Sequence, residues 1–85
     1  MMRSRDEIKK AIEVAIRKEF PTDTVDISDG YGSNIHVMVV SRRFDSMDDA
    51  IQRDLLWTLI RSAGLDDQEE ALISLALTIS PSIIK

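Results

Sequence analysis

The chain has 85 residues, 44% of them hydrophobic and 31% charged, with a net charge of -4 and no cysteine. That length allows one domain, which at this size hides only about 60% of the surface its unfolded chain exposes. The composition is that of a folded globular chain, and the missing cysteines exclude a disulfide framework, a thiolate metal site and a cysteine nucleophile.

The acidic balance argues against a wholesale electrostatic grip on nucleic-acid backbones. No apolar run approaches the ~20 residues that span a bilayer. The opening MMRSRDEIKK lacks the apolar core of a secretory signal. The expectation is a soluble cytoplasmic protein.

Ser4-Arg5-Asp6-Glu7 has the spacing of a capping box, and Ile8, Ala11, Ile12, Ala15, Ile16 and Phe20 recur behind it at helical intervals. Pro21 disfavours helical backbone at Phe20 and offers no amide, so the first helix covers Arg5 to Glu19. Its outer side mixes both charges, with Asp6–Lys10 and Glu13–Arg17 at the spacing of i,i+4 pairs.

TVDIS then alternates, DGYGSN is rich in turn formers, and IHVMVV is a β-branched run. This predicts a hairpin with Val25, Ile27, Ile35, Val37 and Val39 on the core face. His36, Met38 and Val40 then point to the other face.

SMDD predicts a second helix with Ser46 as its cap and Asp48 and Asp49 at its positive end. Met47, Ala50, Ile51, Leu55, Leu59 and Ile60, joined by Leu56 and Ala63, form the expected buried stripe, and Gly64 terminates it. DDQEE reads as an acidic connector of about one helical turn. In ALISLALTIS the alternation puts Ile73, Leu75, Leu77 and Ile79 on one face and Leu72, Ser74, Ala76 and Thr78 on the other, and Pro81 ends the strand.

The order α-β-β-α-β predicts an α+β domain spanning residues 1–85, a three-stranded sheet with its helices packed on one face. The open face is expected to carry His36, Met38, Val40, Leu72, Ala76 and Thr78, which is apolar for a surface meant only for water.

No enzyme constellation emerges. His36, the one histidine, has no evident nucleophile or orienting acid, and a single imidazole is not a metal site. It is read as a surface or interface residue rather than a ligand. Arg42 and Arg43 follow the second strand and, joined by Lys9 and Lys10 of the first helix, are the candidates for contacting nucleic acid. The acids interleaved in that helix favour a solvated face instead. Tyr31 sits at the hairpin tip as a candidate contact residue. The DDQEE carboxylates lack the ligand spacing of a calcium loop, and Trp57 reads as a core aromatic.

The strand HVMVV running into Ser41-Arg42-Arg43-Phe44, a Ser-x-x-Phe signature, resembles the BolA-like family. Trp57 lies thirteen positions after Phe44, where that family carries an aromatic, and Ser80-Pro81 resembles the Thr-Pro pair that closes its last strand. The resemblance implies a fold similar to type II KH topology, although the Gly-x-x-Gly loop of a nucleic-acid-gripping KH domain is missing. It implies a non-enzymatic partner of monothiol glutaredoxins in iron–sulfur homeostasis, or a transcription regulator in stress responses. The family's cluster-ligating histidine at the start of the last strand aligns with Leu72. A second histidine position aligns with Asn34, an Arg-His-Arg stretch is replaced by the region of QRDL around Arg53, and the final helix is cut short at SIIK.

Three functions stand open. The first is an accessory interaction module contacting a monothiol glutaredoxin or another protein through His36, Met38, Val40, Leu72 and Tyr31. The second is a nucleic-acid-binding regulator, and the third a homodimer closed through the open sheet face. No cofactor held by the chain itself is expected.

Overall fold

The structure, a computed structural model, describes residues 4–32 and 34–81. The SIIK end of the sequence reading lies outside the described residues. Helix α1 (Arg5–Glu19) opens on the expected capping box: the Ser4 hydroxyl accepts the Glu7 amide at 3.2 Å, and the Glu7 carboxylate accepts the Ser4 amide at 3.2 Å. Its apolar stripe buries Ile8, Ile12, Ala15 and Ile16, and Phe20 goes under just before Pro21. Each of these isoleucines and Phe20 contributes about 1.5–3 kcal/mol of transfer free energy.

Strand β1 (Thr24–Asp29) pairs antiparallel with β2 (Ile35–Val40), and β3 (Ile73–Ile79) lies parallel on the other side of β2. Between β2 and β3 the chain forms a 3-10 turn (Arg42–Ser46), helix α2 (Asp49–Arg61) and the single turn α3 (Asp67–Glu70). The hairpin closes with the Gly30 amide donating to the Asn34 carbonyl at 2.8 Å and Gly32 at φ 65°. The strand order is β1-β2-β3, and α1 and α2 cover one face. Between those layers Ile35, Val37 and Val39 meet Ile8, Ile12, Ile16, Leu56 and Ile60. The α+β architecture and element order are those expected from the periodicities.

Three local expectations fail, for connected reasons. Ser46 does not cap α2; it ends the 3-10 turn, and Asp48 is the cap, accepting the Ile51 amide at 2.9 Å. Phe44 is drawn fully into the core, which coils the chain after Ser41 and delays the helix by two residues. The buried stripe of α2 therefore runs Gln52, Leu56 and Ile60, flanked by Leu55 and Leu59, while Ala50 and Ile51 face outward.

The third failure is the phase of β3. Ile35 pairs with Ile73, but His36 pairs with Leu75, so Ser74 is an extra residue in the strand. Such a bulge exchanges the two faces beyond it. Ile73 is buried, whereas from Leu75 onward the parity is inverted: Ala76 packs on the core, Thr78 points at Gln52, and Leu75 and Leu77 are 41% and 42% exposed. The open face is His36, Met38 and Val40 with Leu75, Leu77 and Ile79, not Ala76 and Thr78. Beside β1 it turns polar, through Thr24, Asp26 and Ser28.

Candidate functional site

The Ser-x-x-Phe segment is the most tightly organised polar part of the molecule. Ser41 is only 1% exposed; its hydroxyl donates to the Asp23 carboxylate at 2.9 Å and accepts the Arg43 amide at 3.1 Å. Its own amide donates to the Ile79 carbonyl at 3.1 Å, so one residue ties together the β1 entrance, the β2 exit and the end of β3.

Phe44 anchors the turn from inside, its ring 5.4 Å from that of Phe20. Behind it the buried Gln52 amide donates to the Phe44 carbonyl at 3.1 Å and the Met47 carbonyl at 2.8 Å, while its oxygen accepts the Thr78 hydroxyl at 2.8 Å. The buried Ser80 hydroxyl bonds the Asp45 carboxylate, which closes the set from the β3 side. No described buried side-chain polar atom is left without a partner, the condition under which such a network holds a single conformation.

This pinned turn borders a shallow groove of about 290 Å³ lined by Thr22, Asp23, Thr24, Val40, Arg42 and Pro81, among others. Arg42 is exposed there and makes no ion pair with the described residues. Arg43 is committed elsewhere: its guanidinium lies 4.6 Å from the centre of the Phe20 ring, donates to the Glu19 carbonyl at 2.8 Å and pairs with the Glu19 carboxylate at 2.6 Å.

The other basic candidates are placed far from these two. Lys9 pairs with Asp29 at 3.0 Å beside the hairpin, where Arg5 meets the same carboxylate at 2.7 Å and the Asn34 carbonyl at 2.9 Å. Hydrogen bonds from Arg5 and then Lys9, with the charge of Lys9, hold the Asp29 carboxyl below the usual carboxylate range. Lys10 turns to Glu13 at 3.8 Å rather than to Asp6, and Glu13 also takes Arg17 at 3.2 Å. Lys9 and Glu19 are ten residues apart on α1, about 15 Å along its axis. Arg42, Arg43, Lys9 and Lys10 therefore form no continuous basic patch.

His36 lies on the open face with its ring turned over the hairpin, so close that a Cβ on Gly30 would meet Nε2 at 2.5 Å. Close approach of this ring, rather than a positive φ, explains a glycine at position 30. Met38 and Val40 are half-buried on the same face, and Tyr31 is 93% exposed at the loop tip. Leu72 is not on that face: it packs against the core just ahead of β3, and its carbonyl accepts the Ile35 amide at 2.8 Å. Trp57 is half-buried at the core margin, with Arg61 6.0 Å from its ring centre.

The sequence reading missed Asp23, Gln52, Thr78 and Ser80. The available signal was Gln52, a polar residue in helical step with Leu56 and Ile60.

No family model matches the chain, and no curated protein does. Among solved structures it is similar to a BolA-like hypothetical protein from Rickettsia prowazekii, with a TM-score of 0.61, 20% identity, and coverage of 94% of this chain and 97% of that one. It is also similar to BolA1 from Arabidopsis thaliana, with a TM-score of 0.64, 18% identity, and coverage of 95% and 96%. The fold is BolA-like.

At these identities the likeness is one of architecture, and it extends over nearly the whole of each chain. On this BolA-like frame the residues present do not fit an iron–sulfur cluster. Leu72 has no donor atom, and His36, whose ring lies against Gly30, is the one imidazole of a chain without cysteine. Among the described residues no three His, Cys, Asp or Glu side chains gather as a metal would require, and no helix is long and apolar enough to cross a membrane.

Proposed function

We propose that this chain is a divergent BolA-like accessory module, non-enzymatic and cytoplasmic. It engages a protein partner of the monothiol glutaredoxin class and supplies no ligand to that partner's iron–sulfur cluster. The observation that supports the reading is the BolA-like fold; Leu72, which the resemblance aligns with the family's donor, packs against the core and has no donor atom. The contact surface is the Ser41–Phe44 turn with exposed Arg42, continued by His36, Met38 and Val40 on the open face. A rigid turn favours docking because little conformational entropy is lost when it binds.

A protein partner is favoured over nucleic acid because Lys9, Lys10 and Arg43 are each engaged with a carboxylate, leaving Arg42 as the one unpaired cation of the four candidates. Counterion release by so few free cations gives little affinity.

Calorimetric titration against a monothiol glutaredoxin, cluster-free and cluster-loaded, tests the reading. Binding at one to one in both states is expected, with no change in the visible spectrum of the loaded partner. Absence of binding in both states overturns the proposal, as does a spectral change produced by the unaltered chain.

A further inference from the structure

The sequence of β3, ISLALTI, reads almost the same in both directions about Ala76: Leu75 and Leu77 flank it, then Ser74 and Thr78, then Ile73 and Ile79. This strand is also an outer edge of the sheet, since β2 is its one neighbour among the described strands. The Ile79 carbonyl bonds the Ser41 amide of the segment leaving β2. Main-chain groups alternate sides along a strand, so those of Ala76 and Thr78 point away from the sheet.

The two edges of the sheet differ in charge. β1 carries Asp26 and Asp29 and would repel its own copy, whereas Leu75–Ile79 holds no charge. Devices that protect an edge lie only at the ends of β3, as the Ser74 bulge and Pro81.

We infer that β3 is a homodimer edge, pairing antiparallel with β3 of a second copy about a twofold axis through Ala76. The register sets Leu75 opposite Leu77 of the second copy, twice by symmetry, and Ser74 opposite Thr78. Ala76 meets its own copy as a hydrogen-bonded pair. The leucine pairs are then of the non-hydrogen-bonded kind, where side chains approach most closely.

This pairing buries the exposed parts of Leu75 and Leu77 and joins two three-stranded sheets into one of six strands. The near-palindrome favours a second copy over an unrelated strand, because Leu75 and Leu77, both on the open face, each find a leucine across the axis. One strand edge lies below the ~1,200 Å² of a standard interface, so the dimer forms reversibly and in a concentration-dependent way. The inference does not rest on the partner reading above, because edge pairing leaves His36, Met38, Val40 and the Ser41–Phe44 turn uncovered.

The test uses the full chain in analytical ultracentrifugation over a wide concentration range, together with thiol cross-linking in its cysteine-free background. Mass is expected to rise from monomer to dimer. Leu77→Lys is expected to weaken the dimer at least about tenfold, and Val14→Lys, exposed on α1, which packs on β1 and α2, to leave it unchanged. Equal mixing of Leu75→Cys and Leu77→Cys chains under mild oxidation is expected to trap a disulfide-linked heterodimer, since opposed Cα atoms about 4.5 Å apart lie within disulfide reach. Leu75→Cys alone, with its copies diagonal at about 7–8 Å, is expected to cross-link far less. A monomer at all concentrations overturns the inference. So do cross-linking no greater in the mixture than in either variant alone, and a dimer dissolved by Val14→Lys or unmoved by Leu77→Lys.

Discussion

Replacing Gln52 with leucine tests whether the Ser-x-x-Phe turn is held by its polar network. The side chain is buried and makes three hydrogen bonds, to the Phe44 and Met47 carbonyls and from the Thr78 hydroxyl. Leucine fills similar space but leaves the Met47 carbonyl and the Thr78 hydroxyl without these partners; the Phe44 carbonyl keeps the Met47 amide at 3.1 Å. At about 1 kcal/mol net per bond, offset in part by the added apolar burial, the expected loss is about 2–3 kcal/mol. A domain of this length has about 4–13 kcal/mol in all, so Tm should fall by roughly 10–20 °C. Urea denaturation followed by circular dichroism measures the change, and Thr78→Val completes a double-mutant cycle with an expected coupling of about 0.5–1 kcal/mol. A loss below about 0.5 kcal/mol with no coupling refutes the assignment of Gln52 as the brace of the turn.

Ser41→Ala removes both the bond to Asp23 and the acceptor for the Arg43 amide, and denaturant titration should show a loss of about 1–2 kcal/mol. Gly64, at φ 79° just past α2 with open space where a Cβ would stand, should tolerate alanine in volume but not in backbone, at a cost of about 1 kcal/mol; asparagine should cost less in the same assay. The folded pKa of Asp29 is depressed, so its ion pairs stabilise the fold at pH values above the unfolded carboxylate pKa. That contribution is lost as pH falls through the lower folded value. Asp29→Asn should therefore make the acid limb of a stability–pH profile shallower while changing its alkaline limb little.

Sequence periodicity located the elements because each is governed by local chemistry. Ser4 and Glu7 close on one another, Pro21 ends α1, Gly32 and Gly64 take positive φ, and the alternation of Val25, Ile27, Ile35, Val37 and Val39 matches one buried face. The phase of β3 was not legible, because ISLALTI presents apolar residues that fit either side. Only pairing with β2 places the extra residue at Ser74. Gln52 was hidden for the opposite reason: its polarity marks it as exposed, yet the carbonyls of the Phe44 turn require a donor inside the core. The basic candidates were legible as residues but not as a group, since their acidic partners lie as far away as Asp29, twenty positions from Lys9. The Ser-x-x-Phe motif marks the segment where a buried polar network converges, and its supports at Asp23, Thr78 and Ser80 come from distant parts of the chain.

The most direct test of the central claim is an isotope-edited nuclear magnetic resonance titration of this chain with a cluster-free monothiol glutaredoxin. The account predicts saturable shifts confined to the amides around Thr22–Thr24, His36–Val40 and Ser41–Phe44, which weaken on Arg42→Ala. Unmoved resonances at saturating partner, or shifts centred instead on Leu72 and appearing only when the cluster is present, would contradict it.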